Sequence, residues 1–151
     1  MRKIVTIFIA LLSFLSANAQ DIDLEYVRSN YDKAIKDEKL CKSLIEALSK
    51  STGSNTHLAY LGAFQTIWAN HTFSPISKLS TFKKGKQNIE KAINSNQNNI
   101  ETRFIRLSIQ KNCPSFLGYR QNINEDKQFI NEHKDKIASG TLLQLVNKVL
   151  Q

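Results

Sequence analysis

The sequence contains few of the residues that interrupt regular secondary structure. Only 5 glycines and 2 prolines occur among its 151 residues. Because glycine and proline are the strongest local breakers of helices and strands, long uninterrupted elements are favoured. No segment of useful length alternates apolar and polar residues with the period of two that half-buried strands show. The sequence therefore excludes a strand-based fold and predicts an all-α one.

The sequence also lacks the short motifs that carry catalytic or metal-binding chemistry. His57, His71 and His133 are far apart in the chain, and no His-x-x-x-His or Cys-x-x-Cys pair occurs. A glycine-rich phosphate loop and a Gly-x-Ser-x-Gly nucleophile elbow are missing as well. We therefore expect no metal and no other cofactor, and we favour a non-catalytic function. The alternative is a small enzyme whose site is assembled only in three dimensions.

Cysteine is scarce, with Cys41 and Cys113 the only two in the sequence. One disulfide would be chemically allowed in an oxidising compartment, but the sequence does not place the two α-carbons within bridging range. Cys41 shares an apolar helix face with Leu44 and Leu48, where a thiol behaves as a small hydrophobic group. This pattern favours two unpaired cysteines over a bridge.

The N-terminal segment has the layout of a secretory signal peptide. Arg2 and Lys3 precede a short apolar run at residues 4–15, and small residues flank Asn18 in an Ala-x-Ala pattern. The run is shorter than the roughly 17–25 apolar residues of a transmembrane helix. We therefore predict a signal peptide at residues 1–19, although a buried N-terminal helix is the alternative.

Cleavage after the signal peptide would leave residues 20–151 as a single all-α domain. The predicted location is outside the cytoplasm, either periplasmic or secreted, without a membrane span once the signal peptide is removed. The chain has a formal charge of +8, which stays positive when Arg2 and Lys3 are removed. Export argues against nucleic acid as a partner, so we expect an acidic ligand or a protein or peptide of the cell envelope. The alternative is a solvated lysine-rich surface without a specific partner.

Apolar residues recur at steps of three and four through the chain, which is the pattern of amphipathic helices. The pattern predicts six or seven antiparallel helices. The periodic segments are residues 24–35, 40–48, 57–69, 76–93, 100–111, 123–137 and 142–149.

Four local features refine this prediction. Residues 57–69 are apolar nearly all round, which is typical of a central helix. Gly85 lies inside a helix, where glycine is unfavourable by about 1 kcal/mol relative to alanine, so a close approach between helices is expected there. Ser74, followed by proline, has the character of a helix start. Asn98 and Glu101 resemble a capping box at the start of the next helix.

One stretch of the chain resembles a known family. Gly85, Ile89 and Ala92 precede a turn at residues 97–99. A small residue, an aliphatic or aromatic one and an alanine recur at these spacings in the second half of a tetratricopeptide repeat, which this stretch resembles over about 15 residues. The resemblance implies antiparallel helical hairpins stacked as an array that binds a peptide or a partner protein. Residues 103–119 are also similar to small exported helical proteins, a likeness that implies no activity.

The first candidate binding surface is basic. Arg103, Arg106 and Gln110 share a narrow polar strip on an otherwise apolar helix, and Arg120 follows in the next segment. Because guanidinium groups suit carboxylates and phosphates, this surface would hold an anionic ligand or an acidic peptide tail. The alternative is that the arginines form ion pairs within the chain. The candidate acids for such pairs are Glu101, Glu125 and Asp126.

The second candidate surface is aromatic. Trp68, Phe73, Phe116 and Tyr119 all lie beside breaks between predicted helices. Placed there, the four rings would line a groove. The alternative is that they close the core at the helix ends.

Overall fold

The computed structural model describes residues 21–51 and 53–151, and the predicted signal peptide at residues 1–19 lies outside them. Within the described part the fold is all-helical, with seven α-helices and no strand, so the predicted fold class and helix number are confirmed. The helices are α1 (Leu24–Asn30), α2 (Glu38–Lys50), α3 (Asn55–Trp68), α4 (Pro75–Ser95), α5 (Ile100–Asn112), α6 (Ile123–His133) and α7 (Gly140–Leu150).

Side-chain caps set most of the helix starts. Ser74 accepts a hydrogen bond from the backbone N–H of Ser77 and caps α4, as predicted. The predicted Asn98 cap is wrong by one residue, because Asn99 is the cap of α5 and its side chain accepts from the backbone of Glu101. Asn98 instead lies in the preceding turn, where its N–H is bound by the side chain of Asn96.

Two of the predicted helices are shorter than their apolar periodicity indicates. The first ends at Asn30 and is followed by a 3-10 turn at Lys33–Ile35. The sixth ends at His133 and continues as a 3-10 turn at Lys134–Lys136. A 3-10 turn brings every third side chain to one side, close to the spacing of an α-helix, so Ala34 is buried although it lies outside α1.

The helix α3 is the centre of the fold, as its apolar sequence predicted. It packs against α2, α4 and α5, and α6 in turn packs against α5. On α3, Ala59, Tyr60, Ala63 and Phe64 are fully buried. None of the described helices combines the length and the apolar character needed to cross a membrane.

The closest approach in the core is between α3 and α4. Gly62 and Gly85 face each other, and a Cβ placed on Gly62 would lie 2.5 Å from the carbonyl oxygen of Gly85. A Cβ on Gly85 would in turn meet the backbone of Thr66 at 2.7 Å. The two helices therefore touch backbone to backbone, which confirms the close approach predicted for Gly85.

Candidate functional site

Two of the predicted binding arginines meet at one buried carboxylate. Arg106 donates from Nε and Nη2 to the two carboxylate oxygens of Asp126, each at 2.7 Å. Arg103 donates from Nη1 to Asp126 at 2.9 Å and to Glu125 at 2.8 Å. Asp126 has no exposed surface. The first turn of α6 therefore supplies the acids that neutralise the arginines of α5.

The polar strip of α5 is consequently buried. Arg103, Arg106 and Gln110 are each less than a tenth exposed, because α6 covers this side of α5. The ion pairs with Glu125 and Asp126 are those that the intramolecular alternative named. These guanidinium groups are already engaged by acids of the chain, so an external anion would have to displace those acids.

The charges in this cluster shift one another's pKa. Burial disfavours the charge on Arg106, but its hydrogen bond and Coulomb attraction to Asp126 outweigh burial and raise the pKa of Arg106. The hydrogen bonds from Arg103 and then Asn122 lower the pKa of Glu125. Both shifts favour the charged form of each partner, so the cluster is a set of matched charges.

Tyr119 extends the cluster towards α4. Its hydroxyl donates to Glu90 at 2.6 Å, and the same carboxylate accepts from Arg106 at 3.2 Å. Burial, and then the hydrogen bond to Glu90, raise the pKa of Tyr119. The ring packs edge-on against Phe82, and the ammonium group of Lys86 lies 4.8 Å from its centroid. Tyr119 therefore links α4, α5 and the loop before α6.

The other predicted binding residues have separate surroundings. Gln110 and Asn122 exchange hydrogen bonds, one of them from the Asn122 backbone at 3.1 Å. Arg120 donates twice to the carbonyl of Cys113. Trp68 lies at the end of α3, beside the ring of His71. The structure therefore brings Arg103, Arg106 and Tyr119 together and leaves Trp68 outside their cluster.

A second, partly buried ion pair, which the sequence did not predict, joins α1 to the start of α5. Arg28 donates to both carboxylate oxygens of Glu101, at 2.7 Å and 2.6 Å. The hydroxyl of Tyr60 also donates to Glu101, at 2.7 Å. Burial and then the charge of Glu101 raise the pKa of Tyr60. Glu101 was named as a partner for Arg103 or Arg106, but it lies beside Arg28 instead.

The two cysteines are free and buried. The thiol of Cys41 packs near the carbonyl of Phe64, at 3.6 Å, and burial raises the pKa of Cys41 to about 12. The thiol of Cys113 donates to the carbonyl of Tyr119 at 3.2 Å. A reactive cysteine needs thiolate character and access, and Cys41 offers neither.

One concave feature is a groove of about 820 Å³, which we call the apolar groove. It lies between the turn after α1, the first turns of α4, the segment after α5, and α7. Apolar side chains dominate its walls, among them Ile35, Leu79, Phe82, Phe116, Leu145 and Val149. Three lysines lie at the groove, and they are Lys78, Lys111 and Lys148.

Large apolar side chains are exposed along this groove. Phe116 is 85% exposed and Leu79 is 45% exposed, while Ile35 is also open to solvent. Contiguous exposed apolar surface on a soluble protein marks an interaction site far more often than isolated apolar residues do. None of the six predicted binding residues lines the groove, whereas Phe116, from the predicted aromatic surface, does. Phe73 is exposed but lies outside the lining.

The buried polar side chains in the described part of the chain form hydrogen bonds within the chain. No buried side-chain nitrogen or oxygen there lacks a hydrogen-bond partner. Residues 21–51 and 53–151 contain no cluster of three or more His, Cys, Asp or Glu side chains placed to hold a metal ion.

The chain was compared with protein-family models, with curated proteins and with solved structures, and none of the three comparisons returned a match.

Proposed function

We propose that the chain is a non-catalytic module that binds a protein or peptide partner through the apolar groove. The observation that carries this proposal is the exposure of Phe116, Leu79 and Ile35 along one concave surface. Burying one such side chain against a partner contributes about 1.5–3 kcal/mol. The buried arginine clusters, in contrast, are matched to acids of the same chain and serve to hold the helices together.

Two sequence features support the location and the mode of binding in this proposal. The signal-peptide pattern at residues 1–19 supports export to the periplasm or beyond. The tetratricopeptide-like spacing around Gly85 supports a helical scaffold that presents side chains to a peptide. We therefore propose an envelope or secreted location and a partner of the same compartment.

A second candidate function is the binding of a small anionic amphiphile in the same groove. Its volume of about 820 Å³ lies within the range of about 300–1,000 Å³ that small-molecule sites occupy. The lysines Lys78, Lys111 and Lys148 would meet an acidic head group there. Binding measurements with peptides and with fatty acids, each also tested as a competitor of the other, distinguish the two functions.

The test is selection of a random peptide library against the full chain. We expect enriched peptides that lose at least tenfold in affinity for a Leu79→Asp, Phe116→Asp double variant. The matched control is Phe73→Asp, because Phe73 is fully exposed but does not line the groove. Since all three residues are exposed, the variants should fold, which circular dichroism checks. Enrichment of peptides that bind the double variant equally well would overturn the proposal.

A further inference from the structure

We infer that the occupant of the apolar groove is an acidic amphipathic helix of a partner protein. The inference rests on the proposed function and adds the chemistry of the ligand. Such a helix carries large apolar side chains one turn apart, on the face that enters the groove, and carboxylates on its two flanks.

Positive charge predominates around the groove. Lys78, Lys111 and Lys148 belong to three different helices, α4, α5 and α7, and they surround the apolar walls. Asp32 is the only acid of the lining, and it pairs with Lys148 at 2.7 Å. Among the described residues, Lys78 and Lys111 form no ion pair. A ligand with carboxylates on its flanks would therefore complement the positive charge of these lysines.

The secondary structure of the walls selects the form of the ligand. The groove is built from the end of α3, from α4, α5 and α7, and from two 3-10 turns, and the described part of the fold has no strand. An extended peptide usually gains affinity by hydrogen-bonding to an exposed sheet edge, and helical walls offer no such edge. Recognition must then come from side chains in a hydrophobic groove, which is the mode in which amphipathic helices bind.

The arrangement also favours a peptide over a lipid surface. Phe116 and Leu79 are open to solvent but line a concave feature together with buried groups such as Phe82. A flat bilayer would contact the most exposed apolar groups first, and the most exposed large one among the described residues, Phe73, lies outside the groove. A convex helix, in contrast, can reach the walls and the lysines at the same time.

The test uses two synthetic helical peptides that share one apolar face, with leucines at i, i+3, i+4 and i+7. One peptide carries glutamates on both flanks and the other carries lysines. By fluorescence anisotropy with the full chain, we expect the glutamate peptide to bind at least tenfold more tightly at low salt. The preference should shrink at high salt, because exposed charges are screened.

Charge-reversal variants locate the preference. Lys78→Glu should remove most of the preference for the glutamate peptide, and Lys78→Glu with Lys111→Glu should reverse it. The matched control is Lys84→Glu, since Lys84 is exposed on the same helix but does not line the groove. Unchanged selectivity in the Lys78→Glu variant would contradict the inference.

The outcomes separate this inference from the proposed function. If both peptides bind equally and lose affinity in the Leu79→Asp, Phe116→Asp variant, the groove binds peptides without charge selection and the inference fails alone. If neither peptide binds, and the library selection enriches none, the proposed function fails as well. Binding to phosphatidylglycerol vesicles that depends on Phe73, with no peptide binding, would assign the surface to lipid and overturn both.

Discussion

At the scale of single residues, Asp126 is a fully buried carboxylate that pairs with two arginines. It has no exposed surface, and it accepts three hydrogen bonds from two guanidinium groups. Removing one partner of a buried ion pair leaves the other charge uncompensated in a poorly solvated site. This carboxylate therefore makes a large contribution to the attachment of α6 to α5.

We expect Asp126→Asn to destabilise the protein by about 3–5 kcal/mol, because the amide keeps the size of the carboxylate but leaves two buried arginines without its charge. The matched control is Glu125→Gln, because Glu125 directly precedes Asp126 in the chain and also contacts Arg103. The Glu125 side chain is 57% exposed, so we expect its loss to change stability by no more than about 1 kcal/mol. Urea unfolding followed by circular dichroism measures both. Equal effects of the two substitutions would show that burial does not decide the strength of these pairs.

The residue scale also shows what local sequence can predict. The pairing of Arg103 and Arg106 with acids was predicted as the alternative to a ligand site, since acids at the start of α6 are visible in the sequence. The pairing of Glu101 with Arg28 was not predicted, because 73 positions separate these residues. Only the three-dimensional fold, which places the side chain of Arg28 on α1 beside that of Glu101 on α5, brings them together.

At the scale of helices, the contact between α3 and α4 decides the geometry of the core. The facing glycines, Gly62 and Gly85, let the two backbones meet. Alanine is the better helix former by about 1 kcal/mol in an open site. Each of the two glycines therefore lowers the intrinsic stability of its own helix. The close contact explains why glycine occurs at both positions, because there is no room for a Cβ between the helices.

We expect Gly85→Ala to destabilise the protein by about 1–3 kcal/mol or more, because the added methyl meets backbone atoms of α3 and forces the helices apart. Gly140→Ala is the control, since nothing lies within 4 Å of a Cβ at Gly140, at the start of α7. That substitution should be neutral or stabilise by about 0.4–1 kcal/mol. Thermal unfolding of the two variants gives the comparison. A stabilised Gly85→Ala protein would rule out the close backbone contact.

Helix positions were predictable because their signals are local. Apolar periodicity and the cap at Ser74 depend on residues within one or two turns, and all seven helices appear where these signals lie. The ends of α1 and α6 were less predictable. An α-helix and a 3-10 turn bury side chains at nearly the same spacing, so periodicity alone does not show where one changes to the other.

At the scale of the whole molecule, the apolar groove could not be predicted from the sequence. Ile35, Leu79, Phe116 and Val149 come from four separate elements, and none of them is part of a recognisable motif. The sequence singled out Phe116 as part of the predicted aromatic surface, but it gave no reason to group Phe116 with the other three residues. That grouping becomes visible only when the positions of α5 and α7 are known.

Burial of ionisable groups in the core makes the stability of the whole molecule depend on alkaline pH. Burial raises the pKa of Tyr31 to about 12 and the pKa of Cys41 to about 12. It also raises the pKa of Tyr60 and Tyr119, with Glu101 and Glu90 adding to the shift. In the unfolded chain, tyrosine and cysteine ionise near their ordinary values of about 10 and 8.5. The folded chain therefore holds protons that the unfolded chain releases.

We therefore expect the free energy of unfolding to be unaffected by these groups below about pH 8.5 and to fall progressively as the pH rises towards 12. Tyr31→Phe removes one of these groups and loses only a hydroxyl that contacts Ser108 at 3.2 Å. Between pH 10 and 12 this variant should lose on the order of 2 kcal/mol less stability than the parent chain. Urea unfolding across this pH range measures the difference. Parallel stability profiles for the two proteins would mean that the Tyr31 hydroxyl ionises as readily in the folded state as in the unfolded one. The core around α3 would then have to admit water to that group.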